Sequence, residues 1–181
     1  MKFVKTGIEG VWIIEPVRFG DERGYFSEVF KGDEFQEHIG PVKFIQDNES
    51  FSSRGVLRGL HFQKGEWSQA KLVRVSMGEV LDVCVDLRAA SPTFGQHVME
   101  LLSAANGRQL YVPRGFAHGF LVLSDVAQFQ YKVDNAYAPH AEATLAWDDP
   151  DLNIHWPIPD GGLILSEKDK KGVALKNIYR F

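Results

Sequence analysis

The chain has little of what marks several common protein classes. Its 181 residues include one cysteine, Cys84, so no internal disulfide can form, and the usage fits a reducing compartment. Cys84 lies in VLDVCVDLR, which reads as packed strand with nothing nearby to activate a thiol. No segment approaches the ~20 apolar residues of a membrane helix, and the opening MKFVKTGIEG has no apolar run of a signal peptide. The expectation is a soluble, cytoplasmic protein that binds no membrane. Basic excess is also missing, with 20 Lys and Arg against 24 Asp and Glu and a formal charge of −4. That balance argues against a nucleic-acid surface, although local basic clusters can still bind phosphate. There is no Gly-x-Gly-x-x-Gly, no P-loop and no Gly-x-Ser-x-Gly elbow, which sets aside dinucleotide and ATP sites of the usual kinds and serine-nucleophile chemistry. Repeats, low-complexity stretches and linkers are absent too, and the length suits one domain, residues 1–181, large enough to bury a core.

What is present is a succession of short alternating or apolar runs separated by Gly, Pro, Asn and Asp. This is the pattern of an all-β sandwich or barrel of antiparallel strands. Strands are predicted at 11–15, 25–30, 42–48, 56–63, 71–76, 80–87, 97–102, 109–112, 119–123 and 127–133, with turns at 20–24, 91–95, 104–107, 113–115 and 124–125. Helix is scarce. Residues 33–39, closed by Gly40-Pro41, hold a short one, and Ser166-Glu-Lys-Asp169 reads as a helix start of the Ser-x-x-acid kind. A function is therefore sought in the interior or mouth of one β-fold.

The most informative run is RGVLRGLHFQ at 54–63, which carries Arg58 and His61 through an otherwise buried strand. Unpaired polar groups are costly to bury, so these side chains face either water or a ligand. Strand parity places His61 with Leu57, Gly59 and Gln63, and Arg58 on the other face. If both serve one site, Gly59 must mark a bulge that turns one of them. In KLVRVSM, Lys71 closes an apolar stripe with Val73, Val75 and Met77; in AQFQYKV, Tyr131 lies inward with Ala127, Phe129 and Val133. Each residue alone has an ordinary reading. An inward tyrosine is commonly core, a stripe-ending lysine snorkels, a strand histidine is often structural, and Asp169 suits a helix start. Together, histidine, lysine and tyrosine on inward faces can abstract a proton, stabilise an oxyanion and return a proton.

A metal centre is the natural alternative, because His61 and His118 occupy strand positions of the sort that hold iron, manganese or zinc in β-barrels. Two histidines do not complete such a site, which calls for further nitrogen or carboxylate ligands. The residue two after His61 is Gln63, and Glu66 falls in a turn-like KGEW. The ligand count argues against a metal.

Eight fragments, in order along nearly the whole chain, resemble one family: FGDERGYFSEVF at 19–30, FIQDNESFSSRGVLRGLHFQ at 44–63, AKLVRVSMGEVLDVCVDLR at 70–88, SPTFGQ at 91–96, VPRGFAHGFLVLSD at 112–125, YKVDNAY at 131–137, WDDPDLNIHWP at 147–157 and LSEKD at 165–169. The sequence is similar to the dTDP-4-dehydrorhamnose 3,5-epimerases. The resemblance implies a cupin-like jelly roll, a homodimer, no metal or organic cofactor, and a thymidine diphosphate 4-keto-6-deoxy sugar as substrate. It implies His61 as the base at the carbons flanking the ketone, Lys71 near the enolate oxygen, Tyr131 as the acid on the opposite face, and Asp169 orienting His61. Arg23, Arg58 and Lys168 match positions near the diphosphate. Phe26, Glu28, Gln46, Asn48 and Glu142 match base and sugar contacts, Tyr137 a thymine-stacking aromatic, and His118 a wall near the sugar. Arg23, Phe26 and Glu28 would reach into the partner's site. Phe62 stands where HYQ is common, and Ala143 where many relatives have Gly or Arg; these departures leave open whether one or both carbons invert. A non-catalytic or metal-dependent sugar-nucleotide-binding jelly roll is the other reading.

Overall fold

A computed structural model describes all residues 1–181. Thirteen strands dominate: β1 (Lys2–Lys5), β2 (Trp12–Glu15), β3 (Arg18–Asp21), β4 (Gly24–Ser27), β5 (Gln46–Ser53), β6 (Leu57–Gln63), β7 (Lys71–Met77), β8 (Glu79–Asp86), β9 (His97–Ser103), β10 (Gln109–Val112), β11 (Phe116–Val122), β12 (Val126–Val133) and β13 (Glu142–Thr144). The one α-helix is α1, Gly32–His38. A six-stranded sheet runs β1-β2-β10-β7-β12-β5, a five-stranded sheet runs β13-β6-β11-β8-β9, and β3 and β4 form a separate hairpin. All strand pairs are antiparallel. The sequence expectation of an all-β, double-sheet jelly roll holds.

Period-two patterning explains why two sheets stack. Val73 and Val75 of β7, Leu110 and Val112 of β10, Cys84 of β8 and Phe120 of β11 meet in one cluster between the sheets. Cys84 is fully buried there, as its apolar run requires. The outer face of the five-stranded sheet packs Leu60, Phe62, Val83 and Val85 against Leu145, Leu152 and Ile178 of the C-terminal segment. The outer face of the six-stranded sheet is capped by Phe35 of α1 over Leu72 and Tyr111.

Several boundaries differ from the sequence expectation. Residues 42–45 are irregular, and β5 runs instead through the polar QDNESFSS. The apolar alternation of Val42 and Phe44 comes from packing beside α1, where Phe44 meets Phe30 and Phe35 edge-on. Residues 18–27 make a full hairpin, of which only the second strand is expected, and it ends at Ser27, not Phe30. Strand β11 starts at Phe116, three residues earlier than the pattern suggests, and β1 and the three-residue β13 are not among the expected strands. The helix start at Ser166 becomes a single 3₁₀ turn, Asp169–Lys171.

The anticipated irregularity at Gly59 is present. His61 faces His118 and Arg58 faces Phe120, so Gly59 and Leu60 together oppose the single residue Gly119, which is a bulge. The Gly59–Leu60 peptide is cis. Glycine is required at both centres of this contact: a Cβ on Gly59 would lie 2.6 Å from Gly119 Cα, and one on Gly119 2.5 Å from the Arg58 carbonyl oxygen.

Candidate active site

The bulge brings Arg58 and His61, separated by parity, into one cleft. It is lined by Ser50 of β5, Arg58 and His61 of β6, Lys71 of β7, His118 of β11, Tyr131 of β12, Glu142 of β13 and Lys168. An adjoining lobe shares His61, Lys71, Tyr131 and Glu142 and adds Gln46, Asn48 and Tyr137. The cleft opens between the sheets, with His61 on one wall and Tyr131 and Lys71 on the other.

His61 Nε2 lies 2.5 Å from Asp169 Oδ1. Asp169 is only 4 % exposed and also accepts the Ser166 hydroxyl at 2.7 Å and the Gly59 N–H at 3.4 Å. The Asp169 N–H in turn donates to Ser166 Oγ at 3.2 Å. The Ser-x-x-acid reading is thus correct but incomplete: the reciprocal turn contact aims the carboxylate at His61. Burial alone would raise the Asp169 carboxyl, yet the hydrogen bonds from His61 and Ser166 outweigh it and hold it at about 2. Burial lowers His61, aided by the Lys168 and Lys71 charges and opposed by Asp169. A neutral imidazole with Nε2–H on the carboxylate leaves Nδ1 as the basic nitrogen.

Burial also depresses Lys71 to about 8, with Asp82 and Glu142 opposing and Lys168 assisting. Its ammonium sits 5.8 Å from the Tyr131 ring centre. Burial raises the Tyr131 phenol, partly offset by Arg58, so the phenol holds its proton near neutrality. Neither Lys71 Nζ nor Tyr131 Oη has a protein hydrogen-bond partner, and neither is a buried unpaired atom, so both open to the cleft. The arrangement puts an imidazole on one wall and, on the other, a phenol with a cation beside it, groups that can take up and give a proton.

Around this centre lie groups suited to an anionic ligand. Arg58 uses Nε on Ser52 Oγ at 3.1 Å, leaving its terminal nitrogens for an anion. Glu142 bridges Lys168 and the Tyr137 hydroxyl, the latter at 3.2 Å. Gln46 donates to Asn48 at 2.7 Å on the inward side of β5. His118 Nε2 lies 3.0 Å from both oxygens of Asp82. Both cleft histidines therefore bond a carboxylate, and no group of three metal-type donors occurs.

Arg23, Phe26 and Glu28 are not brought to this cleft. They sit on or just after the β3–β4 hairpin, where Phe26 is 66 % exposed and Arg23 pairs only with Asp21. That exposure rules out Phe26 as simple core. Sequence reading also missed what Asp82 and Ser166 do: the first looks like one polar residue in a core strand, the second like the start of a helix. Nothing in the chain order shows that Asp82 meets His118, or that Ser166 holds the carboxylate that meets His61. Gln63, weighed as a missing metal ligand, holds two loops at the cleft mouth by donating to Trp67 and Ala136 carbonyls and accepting the Ala138 N–H.

The fold is a cupin-like jelly roll whose cleft between the sheets gathers proton-exchanging side chains. The profile of the dTDP-4-dehydrorhamnose 3,5-epimerases matches residues 5–177, and the chain belongs to this family. It is 52 % identical over 181 residues to the dTDP-4-dehydrorhamnose 3,5-epimerase of Escherichia coli K12, covering 99 % of this chain and 97 % of that one. Identity to the Pseudomonas aeruginosa PAO1 enzyme of the same name is 54 % over 175 residues, covering 96 % of each. Among solved structures, the Legionella pneumophila dTDP-6-deoxy-D-glucose-3,5-epimerase, in complex with dTDP-4-keto-L-rhamnose, superposes with a TM-score of 0.94 at 47 % identity, covering 98 % of this chain and 94 % of that chain.

Proposed function

We propose that this protein epimerises dTDP-4-keto-6-deoxy-D-glucose at carbons 3 and 5, giving dTDP-4-keto-L-rhamnose, with side chains alone. The observation that carries the reading is the placement of His61 and Tyr131 on opposite walls, because inversion at carbon needs removal and delivery of a proton on opposite faces. His61 Nδ1 takes the proton from a carbon beside the ketone, and the electron pair moves onto the carbonyl oxygen. Lys71 stabilises that enolate more than the ketone, which is the condition for acceleration. Tyr131 then gives its proton to the other face, leaving a phenolate and an imidazolium that solvent resets. Asp169 orients His61 and stabilises the imidazolium.

Arg58 and Lys168 face the diphosphate, while Gln46, Asn48, His118, Tyr137 and Glu142 line the sugar and base ends. The β3–β4 hairpin supports a homodimer in which Arg23, Phe26 and Glu28 complete the partner's cleft, since nothing in their own chain covers them. The lone buried Cys84 and the nucleotide-sugar substrate support a cytoplasmic setting.

The test is incubation of chelator-treated protein with the 4-keto sugar nucleotide in heavy water. Deuterium at carbons 3 and 5 with inversion supports the reading, and label at one carbon assigns a mono-epimerase. Absence of exchange assigns a sugar-nucleotide-binding module. Exchange that survives unchanged in His61→Ala removes His61 as the base.

A further inference from the structure

A second histidine–carboxylate pair stands beside the first and has no part in the proton transfers above. His118 is the direct cross-strand partner of His61 in the β6–β11 ladder, so both rings rise from one face of the sheet. Asp82 projects from the interior face of β8, between Val80 and Cys84 of the apolar cluster, and is 0 % exposed. A carboxylate in that setting is costly unless paired. Its sole hydrogen-bonding partner is His118 Nε2, at 3.0 Å from each oxygen.

That contact fixes where one ring proton sits. An ionised carboxylate only accepts, so Nε2 carries a proton, and in the neutral ring Nδ1 is then the acceptor. Nδ1 has no partner in the protein and is not a buried unpaired atom, so it opens into the cleft that His118 lines. A fixed acceptor beside the catalytic base recognises a donor, and the donors a sugar ring offers are its hydroxyls.

We infer that Asp82 is a positioning residue, locking His118 in the Nε2–H form so that Nδ1 accepts a hydrogen bond from a ring hydroxyl of the substrate. The inference rests on the epimerase reading. Asp82 has a second effect through charge. Lys71 faces Asp82 of β8, Glu142 of β13, Lys168 beside the C-terminal turn, and the cleft groups Arg58, His61, His118 and Tyr131. Burial depresses Lys71 to about 8, and the anions Asp82 and Glu142 resist that fall. Loss of the Asp82 charge lowers Lys71 further, and the alkaline limb of activity moves to lower pH.

The experiment compares wild type and Asp82→Asn by steady-state kinetics across pH, by kinetics on a 2-deoxy analogue, and by ¹⁵N NMR of the histidine rings. Expected for Asp82→Asn is a roughly tenfold to hundredfold loss in kcat/KM, the worth of one oriented hydrogen bond, with an acid-shifted alkaline limb. Discrimination against the analogue lacking a hydroxyl shrinks at the same time. Asp82→Glu, which keeps the charge, retains the alkaline limb. The wild-type protein alone decides the tautomer even if Asp82→Asn fails to fold: an Nε2-protonated, Nδ1-bare His118 near pH 7.5 supports the inference, and an Nδ1–H or doubly protonated ring overturns it. A folded Asp82→Asn with unchanged kcat/KM and pH profile overturns it as well. No deuterium exchange in wild type instead refutes the epimerase reading beneath it.

Discussion

The chemistry of single residues here is governed by burial opposed by one well-placed neighbour. His61 is lowered by burial despite Asp169, and Lys71 is brought to about 8. Activity should therefore rise through an acid limb below 6.5, the ordinary histidine value, and fall through an alkaline limb near 8 as Lys71 loses its proton; a kcat/KM profile in overlapping buffers reads both. His61→Ala should cost ~10²–10⁴-fold in kcat, the usual contribution of a positioned base, measured as deuterium incorporation. Stability follows the same groups with a definite sign. The Asp169 carboxyl is at about 2 in the fold against an ordinary 3.8, so its contribution is fully present above 3.8 and is lost as pH falls toward 2. The difference is worth about 2 kcal/mol. Asp169→Asn should remove that part of the acid loss in urea midpoints taken from pH 5 downward. At this scale His61, Lys71, Tyr131 and Asp169 were legible as residue types on inward faces or at a turn. Asp82 was not, because a carboxylate in a core strand is informative only when its partner from another strand is known.

Among elements, the bulged β6 decides whether a site exists. A regular strand would turn Arg58 with Leu60 and Phe62 toward the outer cluster; one extra residue opposite Gly119 returns it to the side of His61. Gly59 has φ +138° and no room for a Cβ, so Gly59→Ala should destabilise by roughly 1–3 kcal/mol and lower kcat/KM through both residues. Urea denaturation and kinetics on the same sample check it, and an unchanged midpoint would refute the close approach. Ser166→Ala frees Asp169 and should cost about 0.5–2 kcal/mol with a drop in kcat. The bulge was legible from the conflict between parity and shared function. Strand β5 was hidden for a related reason: its inward Gln46, Asn48 and Ser50 line a cleft instead of a core, so the alternation that marks a half-buried strand is missing.

On the scale of the whole molecule, the two sheets supply separate walls, and the opposition of His61 on one to Tyr131 on the other is a property of neither sheet alone. In the proposed homodimer, the exposed β3–β4 hairpin would extend the same logic to two chains. If its arm completes the partner's cleft, Arg23→Ala raises KM, and mixing Arg23→Ala with His61→Ala chains restores activity at about one quarter of the sites after random reassortment of a twofold dimer. Mixtures no better than the sum of the two variants would exclude the exchange. No helix is long and apolar enough to cross a membrane. The sequence by itself determined the β class, the inward set of His61, Lys71 and Tyr131, the short helix α1 and the family, because period-two patterning and local motifs are properties of neighbours along the chain. Only the tertiary structure decided that Asp169, more than a hundred residues from His61, meets it at 2.5 Å, that Asp82 holds His118, and that the hairpin residues stand apart from their own cleft. Those facts depend on register between strands and on which faces the sheets turn toward each other, and side-chain order along one strand does not encode either.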